Sequence, residues 1–201
     1  MKELSIAIHQ PEHFPYMGFF QKMRFSDIFV ILDNVKYKKG SFQNRNRFLN
    51  NSGKDEWFTV PVEKKATSKL IKDVHVSPDP LWRKKILIKF AQNLKVDVSD
   101  IYESESLLDI NMRSIKWCMH RLGIRTPLVM ASDLSPAGRK SELLANIVRS
   151  LSGSRYISGP SGRNYLEKSY FSGIEVFFSD PLIDNYYSTL YNIVIKGNNV
   201  E

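Results

Sequence analysis

Apolar and polar positions along the chain follow two different periods, which predicts strands and helices in alternation. Residues 4–8 form a short, largely apolar run, and residues 28–32 form a second run between Asp27 and Asp33. Such runs are typical of strands that are covered on both faces in a parallel sheet. Residues 16–24 between them have helical spacing. The opening segment therefore predicts a strand, a helix and a strand within about 30 residues, which is the length of a βαβ unit.

The downstream pattern predicts further elements of both kinds. Strands are predicted at residues 57–62, 71–76, 125–131, 155–158 and 174–178, and helices at residues 80–94, 109–122 and 141–151. Asp109 is the predicted cap of its helix, and His75 is expected on the exposed face of its strand. Residues 34–53 lose the pattern and predict a long loop or an irregular hairpin. This order predicts an α/β fold, with one domain whose largely parallel or mixed sheet is flanked by helices.

The composition is that of an ordinary globular protein, with 42% hydrophobic and 25% charged residues in a chain of 201. No apolar run approaches the roughly 20 residues of a membrane span. The first residues lack the apolar segment of a secretory signal, so we expect a cytoplasmic protein. Cys118 is the single cysteine, which excludes an intrachain disulfide, and its neighbours predict a buried position on a helix.

The net charge of +8 favours an anionic partner, although the same charge also serves solubility. Basic residues cluster between positions 36 and 47, which leaves RNA binding as a weaker hypothesis. No helix-turn-helix, zinc-finger or RNA-recognition motif accompanies this cluster, so specific nucleic-acid binding is not expected.

Two histidines near the N-terminus are candidates for a functional role. His9 ends the first predicted strand, and ligands in open α/β sheets bind beyond the carboxyl ends of strands. An imidazole there can serve as a general base or acid, or it can be a structural group bonded to a backbone carbonyl. His13 is expected to face solvent or the edge of a substrate site. Pro11 and Pro15 argue against a helix that would align both rings on a metal, so no metal site is predicted.

Three later segments carry polar groups that suit a ligand. Asp33 follows the second strand, where it could orient His9 or bind substrate, or be a solvated turn residue. Residues 43–47 combine amides and arginines, which suit phosphates, carboxylates and sugars, although a solvated loop could have the same composition. Residues 158–162 (Ser-Gly-Pro-Ser-Gly) follow a short strand and precede Tyr165; their backbone amides could hold an anion, or they could form an ordinary turn.

Five groups of residues occur together in a characteristic order. They are Ile8-His9-Gln10-Pro11 with Phe14-Pro15 and Gly18-Phe19-Phe20; Ser26-Asp27 with Leu32-Asp33; Gln43-Asn44-Arg45-Asn46-Arg47; Thr59-Val60-Pro61-Val62; and Tyr156-Ile157-Ser158-Gly159 with Gly162 and Tyr165. In this combination the chain resembles the WbqC-like family of bacterial surface-polysaccharide gene clusters. His13 and Tyr16 stand where that family's pattern has Tyr and Trp. The resemblance implies a family domain over residues 1–185 and a C-terminal tail over residues 186–201 that is shorter than in related proteins.

The resemblance also implies an activity, namely transfer of an acyl or aminoacyl group to the amine of a nucleotide-linked aminosugar in O-antigen synthesis. The donor stays open between a carrier thioester, an aminoacyl ester and an ATP-activated acid, and no P-loop motif is present. His9 and Asp33 are the expected catalytic residues. The expected substrate-binding residues are Gln10, His13, Gln43, Asn44, Arg45, Arg47, Ser158, Gly159, Ser161, Gly162 and Tyr165. The alternative is a non-catalytic protein that binds a nucleotide sugar or a pathway partner, and the oligomeric state is left open.

Overall fold

The computed structural model describes residues 3–198, which divide into two compact units interleaved along the chain. The first, here called the sheet unit, holds residues 3–10, 18–33 and 125–184. The second, here called the hairpin unit, holds residues 11–17, 34–124 and 185–198. The domain over residues 1–185 and the tail over residues 186–201 that the resemblance implies stay a prediction. Residues 185–198 belong to the hairpin unit, and residues 199–201 of the expected tail lie outside the described residues.

The described residues form seven strands and six α-helices. The strands are β1 Ser5–His9, β2 Ile28–Ile31, β3 Arg45–Leu49, β4 Asp55–Thr59, β5 Leu128–Met130, β6 Arg155–Ser158 and β7 Glu175–Phe178. The helices are α1 Met17–Arg24, α2 Leu81–Asn93, α3 Leu107–Arg121, α4 Ala131–Leu134, α5 Lys140–Ser150 and α6 Thr189–Asn198. Short 3-10 helices cover Ala66–Ser68, Ile71–Asp73, Ser99–Tyr102, Pro160–Asn164 and Lys168–Phe171. Within residues 3–198, no helix combines the length and the apolar character needed to cross a bilayer.

The sheet unit is built on a parallel sheet of five strands in the order β5-β2-β1-β6-β7. The chain proceeds outward from β1 through β2 to β5, and then returns to the other side of β1 with β6 and β7. This is the strand order of a doubly wound sheet, and its topological switch point lies between β1 and β6. The predicted α/β class with a largely parallel sheet is therefore confirmed.

The apolar runs of the sequence form the central strands of the sheet, where their side chains are buried. Ile6, Ala7, Phe29, Val30 and Ile31 are all completely buried. Helices α1 (apart from Met17), α4 and α5 belong to the same unit, and α5 turns a stripe of apolar side chains inward. Strand β7 lies at an edge of the sheet, and its side chains are only partly covered. A strand covered on both faces needs a continuous apolar run, and an edge strand does not.

The hairpin unit pairs β3 and β4 as an antiparallel hairpin and packs it with helix α2. Its core is aromatic, and Phe58 and Phe90 lie at the centre with ring centroids 4.9 Å apart. Residues 34–53 thus include one regular strand within the irregular segment. Strand β4 begins at Asp55 and ends at Thr59, two residues before Pro61, because proline cannot donate a hydrogen bond to a strand partner.

Two local predictions in the hairpin unit are wrong. Residues 71–76 do not form a strand, because a 3-10 turn occupies Ile71–Asp73 and only isolated bridges follow, from His75 to Ser106 and from Val76 to Val62. The cap of α3 is Ser106, whose hydroxyl accepts a hydrogen bond from the backbone N–H of Asp109. Asp109 therefore lies inside the first turn, where its negative charge favours the helix N-terminus. The predicted burial of Cys118 on α3 is confirmed.

Candidate functional site

Three of the predicted segments end at the same edge of the sheet unit. His9 is the last residue of β1, Ser158 is the last residue of β6, and Asp33 follows the end of β2. Strands β1 and β6 are parallel neighbours, with Ala7 opposite Ile157. His9 and Ser158 therefore end adjacent strands on the two sides of the switch point, which is where doubly wound sheets bind their ligands.

The His9 ring is held in one orientation by a hydrogen bond to the next residue and by packing against Phe19. Its Nδ1 lies 3.0 Å from the carbonyl oxygen of Gln10. A carbonyl can only accept, so we assign the proton to Nδ1, which makes Nε2 an acceptor nitrogen. The ring also packs edge-on against Phe19, with centroids 5.0 Å apart.

The surroundings of His9 favour its neutral form. Burial is the largest cause that lowers the pKa of His9 to about 3, and the positive charge of Lys22 is the second. The hydrogen bond to the Gln10 backbone opposes this shift only in part. The Lys22 ammonium is itself buried and donates to the Ile8 carbonyl oxygen at 2.9 Å. The imidazole is therefore a neutral hydrogen-bond acceptor at physiological pH rather than a cation.

Asp33 is buried and makes two hydrogen bonds to the start of α4. Its Oδ1 accepts from the backbone N–H of Ser132 at 2.9 Å, and its Oδ2 accepts from the Ser132 hydroxyl at 2.7 Å. The alternative of a solvated turn residue is wrong, because only 1% of the side chain surface is exposed. These bonds give Asp33 a structural role in joining β2 to α4, and its orientation of His9 stays a prediction.

The turn after β6 contains two glycines in different surroundings. A Cβ on Gly162 would lie 2.0 Å from the Ser158 hydroxyl and 3.2 Å from the Phe178 ring. Gly162 is therefore required by packing, and its contact with a ligand stays a prediction. A Cβ on Gly159 would meet no atom within 4 Å, so open space adjoins the backbone at the switch point. Ser161 and Tyr165 are exposed beyond this turn.

The two glycines provide a matched pair of substitutions. Gly162→Ala is expected to lower the free energy of unfolding by roughly 1 to 3 kcal/mol, because the buried Ser158 side chain must move away from the new methyl group. Gly159→Ala is expected to leave stability unchanged, since its φ of −72° and ψ of 168° suit any residue. Urea unfolding of both variants measures the difference. Equal stability of the two variants would contradict the packing role of Gly162.

His13 belongs to the hairpin unit and is completely buried, so the expectation of a solvent-facing or substrate-edge ring is wrong. Its Nε2 lies 3.0 Å from the hydroxyl of Tyr102, and its ring contacts Phe14 and Phe58. Burial lowers the pKa of His13 to about 3, and a side-chain interaction with Asn111 opposes that shift. Among the described residues, no group of three His, Cys, Asp or Glu side chains is arranged to hold a metal ion.

The side chains of Gln43 and Asn46 hold backbone groups of the hairpin unit, and the assignment of Gln43 and Asn44 to a ligand stays a prediction. The Asn46 Nδ2 donates to the carbonyl oxygens of Phe14 at 2.8 Å and His13 at 3.3 Å. The Gln43 Oε1 accepts from the backbone N–H of Lys38 at 2.9 Å. Asn111, which sequence reasoning missed, donates to the Gln43 carbonyl oxygen at 2.7 Å. These contacts satisfy backbone groups that no strand or helix can pair.

Arg45 and Arg47 both lie close to one aromatic ring of the hairpin unit. Their guanidinium carbons are 4.8 Å and 5.4 Å from the centre of the Trp57 ring. Arg47 also forms an ion pair with Asp55 at 2.6 Å, which compensates its charge. Arg45 lines a cavity, so of the two arginines it is the better candidate for a ligand contact.

Comparison with known proteins identifies the family. The profile of the WbqC-like protein family matches residues 10–193. The chain belongs to the WbqC-like protein family. This WbqC-like protein is also similar to the uncharacterized protein Rv1507c of Mycobacterium tuberculosis (strain ATCC 25618 / H37Rv), with 30% identity over 184 residues that cover 86% of this chain and 79% of the relative. No solved structure matches the chain. The matched range of this WbqC-like protein contains every predicted site residue except His9, which immediately precedes it.

Proposed function

We propose that this WbqC-like protein transfers an acyl or aminoacyl group to the amine of a nucleotide-linked aminosugar used for O-antigen, the surface polysaccharide of lipopolysaccharide. One observation carries the proposal: the neutral imidazole of His9 stands at the topological switch point of a doubly wound parallel sheet, where nucleotides bind. The open space beside Gly159, which follows the end of the neighbouring strand, leaves room for such a ligand.

The chemistry of the proposed reaction needs a proton acceptor rather than a cation at this position. A bond forms between the sugar nitrogen and the acyl carbon, the bond from that carbon to the donor breaks, and the nitrogen loses one proton. The Nε2 of His9 accepts a hydrogen bond from the attacking amine and takes its proton once the nitrogen has become cationic. The low pKa of His9, to which the charge of Lys22 contributes, opposes a resting imidazolium, so the proton passes on to the leaving group of the donor without staying on the ring.

The donor in this proposal is a carrier thioester, an aminoacyl ester or an ATP-activated acid, and the reaction is placed in the cytoplasm. The other candidate is a non-catalytic protein that binds a nucleotide sugar or a pathway partner. It is favoured by the same observation, because a switch-point crevice can bind a nucleotide sugar without any proton transfer. The two candidates differ in what they require of His9.

The test compares product formation and binding in the His9→Ala variant. Nucleotide-linked aminosugars with a free amine are incubated with each of the three donor classes, and mass spectrometry detects the acylated sugar. We expect His9→Ala to reduce turnover by about 10² to 10⁴ fold, while the affinity for the nucleotide sugar changes by less than about twofold. His75→Ala, which removes an exposed imidazole of the hairpin unit, is the matched control and should keep full activity.

Two outcomes decide between the candidates. Full activity of the His9→Ala variant would overturn the catalytic assignment. Tight binding of the nucleotide sugar with no product from any donor class would favour the non-catalytic binding protein.

A further inference from the structure

The hairpin unit contains a cavity of about 510 Å³ that the proposed reaction does not use. Four basic residues line it: Lys39, Arg45, Lys64 and Lys65. Pro61, Val62 and Ala66 add apolar surface, and Tyr37, Thr59 and Thr67 add hydroxyl groups. The volume is within the range of about 300 to 1,000 Å³ that is typical of small-molecule sites. The cavity therefore combines the size of a ligand site with an excess of positive charge.

The charge of this cavity is not compensated by its own acidic residue. Among the described residues that line the cavity, Glu63 is the only carboxylate, and Lys69 binds both of its oxygens at 2.7 Å and 2.8 Å. That contact and a further hydrogen bond from the His75 backbone N–H lower the pKa of Glu63. Within residues 3–198, no carboxylate forms an ion pair with Lys39, Lys64 or Lys65. A cavity with this balance attracts an anion.

Asn44, which is one of the residues that line the cavity, carries a buried acceptor that adds a second and independent requirement. Only 7% of the Asn44 surface is exposed, and its Nδ2 donates to the Val60 carbonyl oxygen at 2.8 Å. The Oδ1 of the same side chain is buried and has no hydrogen-bond partner among the described residues. A buried acceptor that stays unpaired is unfavourable, and native structures contain few of them. The missing partner is a donor, which an inorganic anion that lacks N–H and O–H groups cannot supply.

We propose that this cavity is a binding site for an organic phosphate of nucleotide size. The phosphate lies against the lysines and Arg45, and a hydroxyl or amino group of the organic part donates to the Oδ1 of Asn44. Arginine and lysine both bind phosphate through charge-assisted hydrogen bonds. Arg45 is already oriented by Trp57 and by a hydrogen bond to the Gly40 carbonyl oxygen, so it loses little freedom on binding. This site is separate from the one proposed at the switch point and does not depend on His9.

The chain offers a pair of variants with the same loss of charge. The double variant Lys64→Gln, Lys65→Gly removes two cations from the cavity. Lys65 has a positive φ of 65°, a conformation that glycine adopts without strain, so this substitution preserves the fold. The control variant Lys84→Gln, Lys85→Gln removes two exposed cations from α2 in the same unit. Because both variants lose two positive charges, non-specific attraction falls equally in them.

Isothermal titration calorimetry with ADP and with pyrophosphate tests the proposal. We expect ADP to bind more tightly than pyrophosphate, because only ADP carries an organic part with donors for Asn44. The cavity variant should bind ADP at least about tenfold more weakly than the unmodified protein, whereas the control should change by less than about twofold. His9→Ala should leave this affinity unchanged, which separates this test from that of the proposed reaction.

Three results would overturn the inference. Equal losses in the cavity and control variants would show attraction by net charge alone. Pyrophosphate binding as tight as that of ADP would exclude a role for the organic part. Unchanged ADP affinity in the cavity variant, or no measurable binding of ADP by the unmodified protein, would show that this cavity is not the site.

Discussion

Lowering the pH from 7 to 4 is expected to reduce the free energy of unfolding by roughly 3 kcal/mol through His13 alone. The pKa of this imidazole is about 3 in the folded protein and near 6.5 in the unfolded chain. Above pH 6.5 both states are neutral, so the stabilising effect of the buried ring is complete. As the pH falls toward 3, the unfolded chain binds a proton that the folded protein does not, and stability is lost.

Urea unfolding at a series of pH values measures this effect in the unmodified protein and in a His13→Phe variant. The variant keeps an aromatic ring beside Phe14 and Phe58 and removes the titratable group. Its absolute stability also changes because Tyr102 loses a hydrogen-bond partner, so the slope of stability against pH is the diagnostic quantity. Between pH 6 and pH 4, we expect the slope of the unfolding free energy against pH to be smaller in the variant. The difference corresponds to the uptake of up to one proton on unfolding.

The exposed residue His120 provides the control, because His120→Gln removes an imidazole that folding does not bury. That variant should keep the slope of the unmodified protein. His9 adds a contribution of the same sign, since burial and the charge of Lys22 also lower its pKa to about 3. An identical slope in the His13→Phe variant would contradict the burial of a neutral ring at this position.

Replacing Asn46 by alanine is expected to reduce the free energy of unfolding by about 2 to 4 kcal/mol. The Asn46 amide donates to the backbone carbonyls of His13 and Phe14, in an irregular turn where Phe14 has a positive φ of 43°. Both carbonyls belong to residues that are buried, so the loss of the amide leaves acceptors without water. Thermal and urea unfolding of the purified variant measure the change.

Asn51 is a close control for Asn46, because its Nδ2 also donates to a backbone carbonyl, that of Gln92, at 3.0 Å. This residue is exposed, so Asn51→Ala should change stability by less than about 0.5 kcal/mol. An equally mild effect of Asn46→Ala would contradict the structural role of this amide.

Asn44 and Asn46 show that composition alone does not reveal whether an amide side chain is structural or binds a ligand. A buried asparagine and a ligand-binding asparagine have the same side chain, and only the position of the partner distinguishes them. The partners of Asn46 lie about 30 residues earlier in the chain, so no local pattern could reveal them. One signal was present, since Asn46 and Phe48 alternate along β3, Asn44 directly precedes the strand at the same spacing, and all three are buried, as strand periodicity predicts for one face.

The sequence by itself determined the elements of the sheet and the position of His9 at a strand end. Apolar runs report burial on both faces, and burial of short β-rich segments is a property that neighbouring residues encode directly. The correct prediction of Arg155–Ser158 as a strand rests on this local signal. The family resemblance was likewise carried by short motifs, and the match over residues 10–193 confirms it.

Only the tertiary structure decided which residues surround the ends of these strands. It set the strand order that places His9 and Ser158 on either side of the switch point, buried His13 among aromatic rings, and left Asn44 with an unpaired oxygen in a basic cavity. The physical reason is that strand order, ring burial and hydrogen-bond satisfaction depend on residues far apart in the chain. Periodicity constrains only neighbours, whereas the chemistry of a site depends on what folding brings into contact.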